Sequence, residues 1–205
     1  MIEPKENENS LEKLPDELRL QILAEALKFP NGIYSERWPS LLAGRVDRFL
    51  RVNQLRNLTP EALYKHNLLV IRPHANHLMI RYPRLVVNKH VRDMHFIPCL
   101  IDDRAIVGKR WVPAQARWLR NLAFGTLWFH NLRRFTIVIA RPADGIRENC
   151  WYAIEAFQRA LGGETLRFQC AELEIVVDGH ICSPQCNRHR QECNTWSALN
   201  EKLTN

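Results

Sequence analysis

The first clear pattern along the chain is an apolar stripe near the amino terminus whose members are three or four residues apart. The stripe consists of Leu11, Leu14, Leu18 and Ile22, widened by Leu23 and Leu27. This spacing predicts an amphipathic helix with one apolar face, because 3.6 residues make one helical turn. Pro15 suits the first helical position, since its ring fixes φ at a helical value, and Phe29-Pro30 should end the helix.

The next sixty residues are less regular. Residues 32–39 are predicted to be irregular, and the apolar positions between Trp38 and Leu55 predict one or two short helices that pack back on the first helix. Pro60 marks another helix start, and the run LLVI at residues 68–71 predicts a short strand. Residues 73–90 follow no clear period.

After residue 90, strand and helix patterns alternate. The predicted order is a strand at 91–97, a helix at 116–129, a strand at 132–140, a helix at 147–161 and a strand at 171–179. Such alternation implies right-handed crossovers and a mainly parallel sheet with helices on at least one face. The strands recur roughly every 40 residues, a length that fits a repeat unit of one strand and one crossover helix.

These patterns predict an α/β fold, α+β overall, in which an N-terminal helical module precedes a small, mainly parallel sheet with crossover helices. The strands at 132–140 and 171–179 each resemble the strand of a leucine-rich repeat, so a degenerate repeat layer is one interpretation of the sheet. The predicted divisions are a disordered lead-in at 1–10, the helical module at 11–63, the α/β region at 64–180 and a tail at 181–205.

The chain is basic, with a formal net charge of +7 and a pI of about 9.3. Its basic residues come singly or in pairs, such as Lys109-Arg110 and Arg133-Arg134. Nucleic-acid-binding proteins usually carry a dense basic patch, so this dispersed excess is weak evidence for a nucleic-acid partner and favours a solvated surface. A polar start and the lack of a long apolar run predict a protein of the cytosol or nucleus, with reduced cysteines and no membrane partner.

Two segments resemble the F-box. LPDELRLQIL, residues 14–23, matches the start of its first helix, in which Leu-Pro is followed by an acidic residue, a Leu and an Ile-Leu pair. FLRVNQLRN, residues 49–57, is similar to the later F-box helix, and EALYKHNLLVI, residues 61–71, to the segment that follows it in many fungal F-box-like proteins. The resemblance covers about residues 11–71.

The resemblance implies a role in protein degradation. The helical module would bind the Skp-type adaptor, and through it the cullin, of a cullin-RING (SCF-type) ubiquitin ligase, while the α/β region would hold an unknown substrate protein. By this resemblance the adaptor-binding residues are Leu14, Pro15, Leu18, Ile22, Leu23, Leu50 and Val52. An amphipathic helix makes such contacts by burying its apolar face in a groove of its partner.

Two other readings stay open. The apolar stripe could pack only on the helix at 49–55, which would make the F-box-like helices a cap of the α/β core without a ligase role. The chain could also be a basic nucleic-acid or chromatin-associated module, whose binding should weaken steeply as salt rises.

The tail carries Cys182, Cys186, His189 and Cys193, three thiols and an imidazole of the kind that bind tetrahedral zinc. Their spacing, C-x3-C-x2-H-x3-C, departs from the C-x2-C pairs of zinc ribbons. The prediction is therefore no cofactor, and a structural zinc ion in the tail is the alternative.

Motifs for catalysis are lacking. The chain has no glycine-rich dinucleotide or phosphate loop, no HExxH and no GxSxG, so no enzymatic activity is predicted. The substrate site is expected at the loops after Ile97, Ala140 and Asp178, because ligands of parallel sheets usually bind at the carboxyl ends of the strands.

Overall fold

The computed structural model describes residues 13–73, 80, 83, 85–98, 106–139, 157–163, 165–177 and 203 of the 205-residue chain. The helices are α1 (Asp16–Ala26), α2 (Trp38–Leu41), α3 (Asp47–Leu50), α4 (Asn53–Arg56), α5 (Leu58–Lys65), α6 (Leu85–Asn88) and α7 (Ile106–Ala123). A 3₁₀ turn at Ser35–Arg37 precedes α2, and a π-helical turn at Leu42–Val46 joins α2 to α3. The strands are β1 (Ile33–Tyr34), β2 (Leu68–Ile71), β3 (Asp93–Phe96), β4 (Leu132–Ile139) and β5 (Cys170–Val177).

The strands form one parallel sheet in which each strand pairs with the next along the chain. In the middle of the sheet, Leu69 lies beside Met94, and Met94 beside Phe135. Right-handed crossovers between strands in this order place the intervening helices on the same face. The predicted α/β fold with a parallel sheet is confirmed, and its strand order is the one that a repeat layer would produce.

The hydrophobic core lies between that face and the helices. Met94 and Phe96 of β3, with Phe135 and Ile137 of β4, are fully buried and alternate with residues on the other face. Phe96 stacks on Trp118 of α7, with ring centroids 4.9 Å apart. The core-facing side chains of β3 and β4 thus pack against the apolar side of a helix.

The same core includes the N-terminal helices. Leu23 of α1 and Leu63 of α5 belong to one cluster of buried residues with Leu69 of β2. Strand β1, which lies within residues 11–63, is the first strand of the sheet. The predicted division at residue 63 therefore falls inside a shared core. The prediction that residues 32–39 are irregular is wrong, because they contain β1, a 3₁₀ turn and the start of α2.

Strand β1 approaches β2 closely because residue 32 is a glycine. Gly32 has a φ of 77°, and a Cβ atom there would lie 2.9 Å from the backbone oxygen of Leu68. Glycine at position 32 therefore serves two purposes. It allows the positive φ of the turn after α1, which other residues rarely adopt, and it lets β1 pair with β2 at the edge of the sheet.

Asn67 joins the carboxyl ends of α1 and α5. Its side-chain amide donates to the carbonyl oxygens of Leu27, at 2.9 Å, and Leu63, at 2.7 Å. Its side-chain oxygen accepts a hydrogen bond from the N–H of Phe29 at 2.7 Å. Two carbonyl groups at the helix ends and one N–H group of the turn after α1 are thus satisfied by one buried side chain.

Helix α7 differs most from its predicted position. It begins at Ile106 and ends at Ala123, whereas the sequence predicts a helix at 116–129. The helix continues through Pro113, and it ends early because Gly125 takes a φ of 73°, which is typical of a helix carboxyl end. Of the helix predicted at 147–161, the structure describes only residues 157–161, which are helical. No described helix is long and apolar enough to cross a membrane.

Candidate functional site

Helix α1 has apolar residues on two opposite sides. Leu23 is 1% exposed and faces the core with Leu27, whereas Leu18 and Ile22 are 44% and 48% exposed. Leu18 and Ile22 are about one turn apart and therefore lie on the same side of the helix. Leu27 follows Leu18 by nine residues, or two and a half turns, and therefore lies on the opposite side. The predicted single apolar face is therefore wrong, because the residues expected only to widen the stripe are the ones that contact the core.

The other predicted adaptor-binding residues divide between surface and core. Pro15 and Val52 are exposed, and Leu14 and Leu50 are half-buried, Leu50 against the core. Leu23 is enclosed in the core of the chain itself and has no surface to offer a partner in this conformation. We define the outer face of α1 as Leu14, Pro15, Leu18 and Ile22.

The amino end of this outer face is held in place by Arg19. Its Nε atom donates to the carbonyl oxygen of Leu14 at 2.8 Å, and its Nη1 atom lies 3.4 Å from the carboxylate of Asp16. Exposed Glu17 and Gln21 lie beside the apolar residues. Single exposed apolar residues are common on protein surfaces, so it is the pairing of Leu18 with Ile22 that makes the outer face of α1 a candidate contact surface.

A second surface feature is a groove at the amino edge of the sheet, with a volume of about 600 Å³. Its lining residues are Lys65, His66, Arg92, Asp93, His130, Asn131, Leu132, Arg133 and Ala171. All of them lie at, or just before, the first residues of β2, β3, β4 or β5. Because three Lys or Arg residues face one Asp, the lining is cationic when its histidines are neutral.

Hydrogen bonds fix the floor of this groove. Arg92 Nη1 donates to the carbonyl oxygen of Asn131 at 3.0 Å, and Asn131 Nδ2 donates to that of Lys89 at 2.8 Å. The N–H groups of Arg133 and Arg134 both donate to the carbonyl oxygen of Arg92, at 2.7 and 3.0 Å. The guanidinium of Arg92 is therefore already fixed before a ligand binds, so less side-chain conformational entropy is lost on binding.

The other two cations of the groove are available to a ligand. Among the residues that the structure describes, Arg133 is exposed and forms no ion pair. Lys65 Nζ lies 3.4 Å from Glu61 Oε1, but exposed pairs of this kind contribute little and exchange readily.

His95 lies on the sheet face away from the helices, beside Thr136 of β4. Burial lowers the pKa of His95, Glu174 opposes that shift, Arg134 adds to it and Asp93 opposes it. The net effect favours the neutral imidazole, so this residue resists protonation in the folded chain.

Several predicted sites and segments lie outside the described residues. These are the tail residues Cys182, Cys186, His189 and Cys193, the lead-in at 1–10, the loops after Ala140 and Asp178, and the loop after Ile97 from residue 99 to residue 105. Within the described part of the chain, no group of three His, Cys, Asp or Glu residues could hold a metal ion. The zinc alternative therefore stays a prediction about the tail.

Comparisons with protein-family models, with curated proteins and with solved structures give no match for this chain. The interpretation of both surfaces therefore rests on the residues and their geometry.

The groove is the feature that the sequence interpretation missed. Lys65, Arg92 and Arg133 are far apart in the sequence, but each lies within three residues of the start of a strand. The amino ends of parallel strands meet at the same edge of a sheet, so the predicted strands already implied that these cations would converge.

Proposed function

We propose that the chain is an F-box-like adaptor that recruits a substrate protein to a cullin-RING ubiquitin ligase, by protein contacts and without catalysis of its own. The observation that carries the proposal is the outer face of α1, where Leu18 and Ile22 are exposed although the same helix is anchored through Leu23 and Leu27. These two exposed residues belong to the segment LPDELRLQIL, which resembles the first helix of the F-box.

The apolar surface on α1 is large enough to contribute to docking but not to sustain it alone. Fully burying a Leu or Ile side chain contributes about 1.5–3 kcal/mol. Because roughly half of each side chain is exposed, Leu18 and Ile22 together would supply on the order of 1.5–3 kcal/mol before the cost of association. A Skp-type adaptor would therefore also contact Leu14, Pro15 and the exposed Val52.

The exposure of Leu18 favours docking over the alternative in which the F-box-like helices only cap the sheet. In that alternative the stripe Leu14, Leu18 and Ile22 would be the buried side of α1. The residues that fill that role are instead Leu23 and Leu27, so an aspartate at position 18 should be tolerated by the fold.

The test is co-purification of the full chain with a Skp-type adaptor. We expect the wild type to bind and the double variant Leu18→Asp/Ile22→Asp to lose binding, because two carboxylates would be buried without partners. Val86→Asp is the matched control, since Val86 is 60% exposed on α6 and the change is of the same kind. Circular dichroism should give the same spectrum for all three proteins.

Three results would count against the proposal. The first is a wild-type chain that does not bind the adaptor. The second is a Val86→Asp variant that loses binding to the same extent, and the third is a double variant that unfolds, which would make the outer face of α1 part of the core.

A further inference from the structure

The turn that leads from α7 into the groove carries two exposed aromatic side chains. Phe124 and Trp128 are 64% and 51% exposed, and Trp128 lies two residues before His130 in the groove lining. No described ring contact involves either of them. The exposed rings and one part of the groove lining, His130 to Arg133, thus belong to the same stretch of chain, residues 124–133.

The backbone holds Trp128 in an unfavourable conformation. Its φ of 61° is the only positive value among the described residues other than glycine, and bulky side chains rarely adopt it. The neighbours Leu127 and Phe129 are both buried, and Asn88 Nδ2 donates to the carbonyl oxygen of Leu127 at 2.8 Å. These contacts fix the turn and leave the indole on the surface, a form of local strain that is common at binding sites.

We propose that this surface binds single-stranded nucleic acid. Phosphates would lie along Lys65, Arg92 and Arg133, and bases would stack on Trp128 and Phe124. This combination of a cationic groove with exposed rings is what a flexible polyanion with flat aromatic bases requires. The surface is separate from the outer face of α1, so the inference does not depend on an adaptor role.

The geometry favours a single strand over other anionic partners. In a duplex the base faces are already stacked, so Trp128 and Phe124 would have nothing to stack on. A flat anionic membrane would meet the aromatic side chains and the exposed Arg133, but it would not enter the groove to reach the half-buried Arg92. An acidic peptide would satisfy the cations but would make no use of ring stacking.

The three cations set the expected salt dependence. Each phosphate neutralised on a single strand contributes about −0.7 to the slope of log K against log salt, so three give a slope of about −2. Raising the salt from about 50 to about 200 mM should then weaken binding by about 20-fold. This effect is measured by fluorescence anisotropy of the full chain with labelled oligo(dT) and oligo(U) of about 20 nucleotides.

Arg133→Ala tests the electrostatic part of the surface. The variant should bind more weakly and its salt slope should be smaller in magnitude by about 0.7, because one phosphate contact is lost. Arg133→Lys keeps the charge and should retain the slope. Arg48→Ala removes the same charge from an exposed position on α3, outside the groove, and should leave both the affinity and the slope unchanged.

Variants of Trp128 test stacking. Trp128→Leu should weaken binding by about 5- to 150-fold with the salt slope unchanged, because base stacking on one ring is lost. Trp128→Phe keeps a ring and should bind more tightly than Trp128→Leu. Equal affinities for these two variants would overturn the stacking geometry. Circular dichroism checks that both variants keep the wild-type secondary structure.

Competitors identify the partner class. Duplex DNA of the same length, poly-glutamate and vesicles containing phosphatidylserine should each compete poorly with the single strand. A wild-type chain that binds no oligonucleotide, that binds it independently of salt, or that binds any of these competitors equally well would overturn the proposal.

Discussion

Asn67→Ala should cause a large loss of stability for a single polar residue. The asparagine side chain is 4% exposed and makes three hydrogen bonds, with the N–H of Phe29 and the carbonyl oxygens of Leu27 and Leu63. A net contribution of about 1 kcal/mol for each bond gives a loss of about 3 kcal/mol. Water that enters the small space left by the alanine would reduce this value, whereas unpaired buried groups would increase it.

The loss is measured by urea unfolding followed by circular dichroism, from the free energy extrapolated to water. Asn67→Asp has the same shape but puts a carboxylate oxygen against the carbonyl oxygens of Leu27 and Leu63, so its loss should be at least as large. Asn131→Ala is the matched control, because that exposed asparagine makes one side-chain bond, to Lys89, and should lose less than about 1 kcal/mol. If Asn67→Ala loses no more than this control, with an unchanged denaturant slope, Asn67 does not join the two helices energetically.

Three further predictions concern stability. Gly32→Ala should destabilise the chain more than Gly162→Ala in urea unfolding, because both residues have positive φ but only at Gly32 would a Cβ atom lie 2.9 Å from a backbone oxygen. Equal losses would mean that β1 can move away from β2. Tyr64→Phe should raise the free energy of unfolding by about 1 kcal/mol, since the buried hydroxyl of Tyr64 has no hydrogen-bond partner among the described residues; a loss would point to a partner that it does have. The melting temperature should fall as the pH drops through about 6.5, because the lowered pKa values of His90 and His95 mean that the unfolded chain binds protons more readily; a His90→Gln/His95→Gln variant that falls just as steeply would contradict this cause.

Strand positions could be predicted because short runs rich in β-branched and aromatic residues, such as Phe135 to Ile139 of β4, are typical of strands. The pattern of β4 did not show which face meets the helices, because Thr136, between the core-facing Phe135 and Ile137, is itself only 2% exposed. Helix α7 was harder to predict. Pro113 removes one backbone hydrogen bond, so in a sequence it indicates the end or the start of a helix. In the structure α7 continues through Pro113, and Val112 beside it is buried in the core.

The candidate sites show a different limit. The spacing of Leu18, Ile22 and Leu23 indicates a helix with a wide apolar stripe, but only packing against α5 decides which part of that stripe is buried. That choice is a tertiary property, and α1 by itself carries no information about it. The cations of the groove, in contrast, could have been placed together from the sequence once parallel strands were predicted, since Lys65, Arg92 and Arg133 all lie at strand starts.

The two proposed surfaces are connected through Asn67. This residue directly follows His66 of the groove lining, and its side chain holds the end of α1 at Leu27. Because α1, α5 and β2 also share one hydrophobic core, a partner bound to Leu18 and Ile22 would hold the sheet, and with it the groove, at a fixed orientation. A linker between separate domains would not do so, since such domains move relative to each other by default. If both proposals hold, a nucleic acid bound in the groove would therefore be held in one orientation relative to the ligase. Loss of the Asn67 hydrogen bonds should loosen that orientation while leaving each surface able to bind alone.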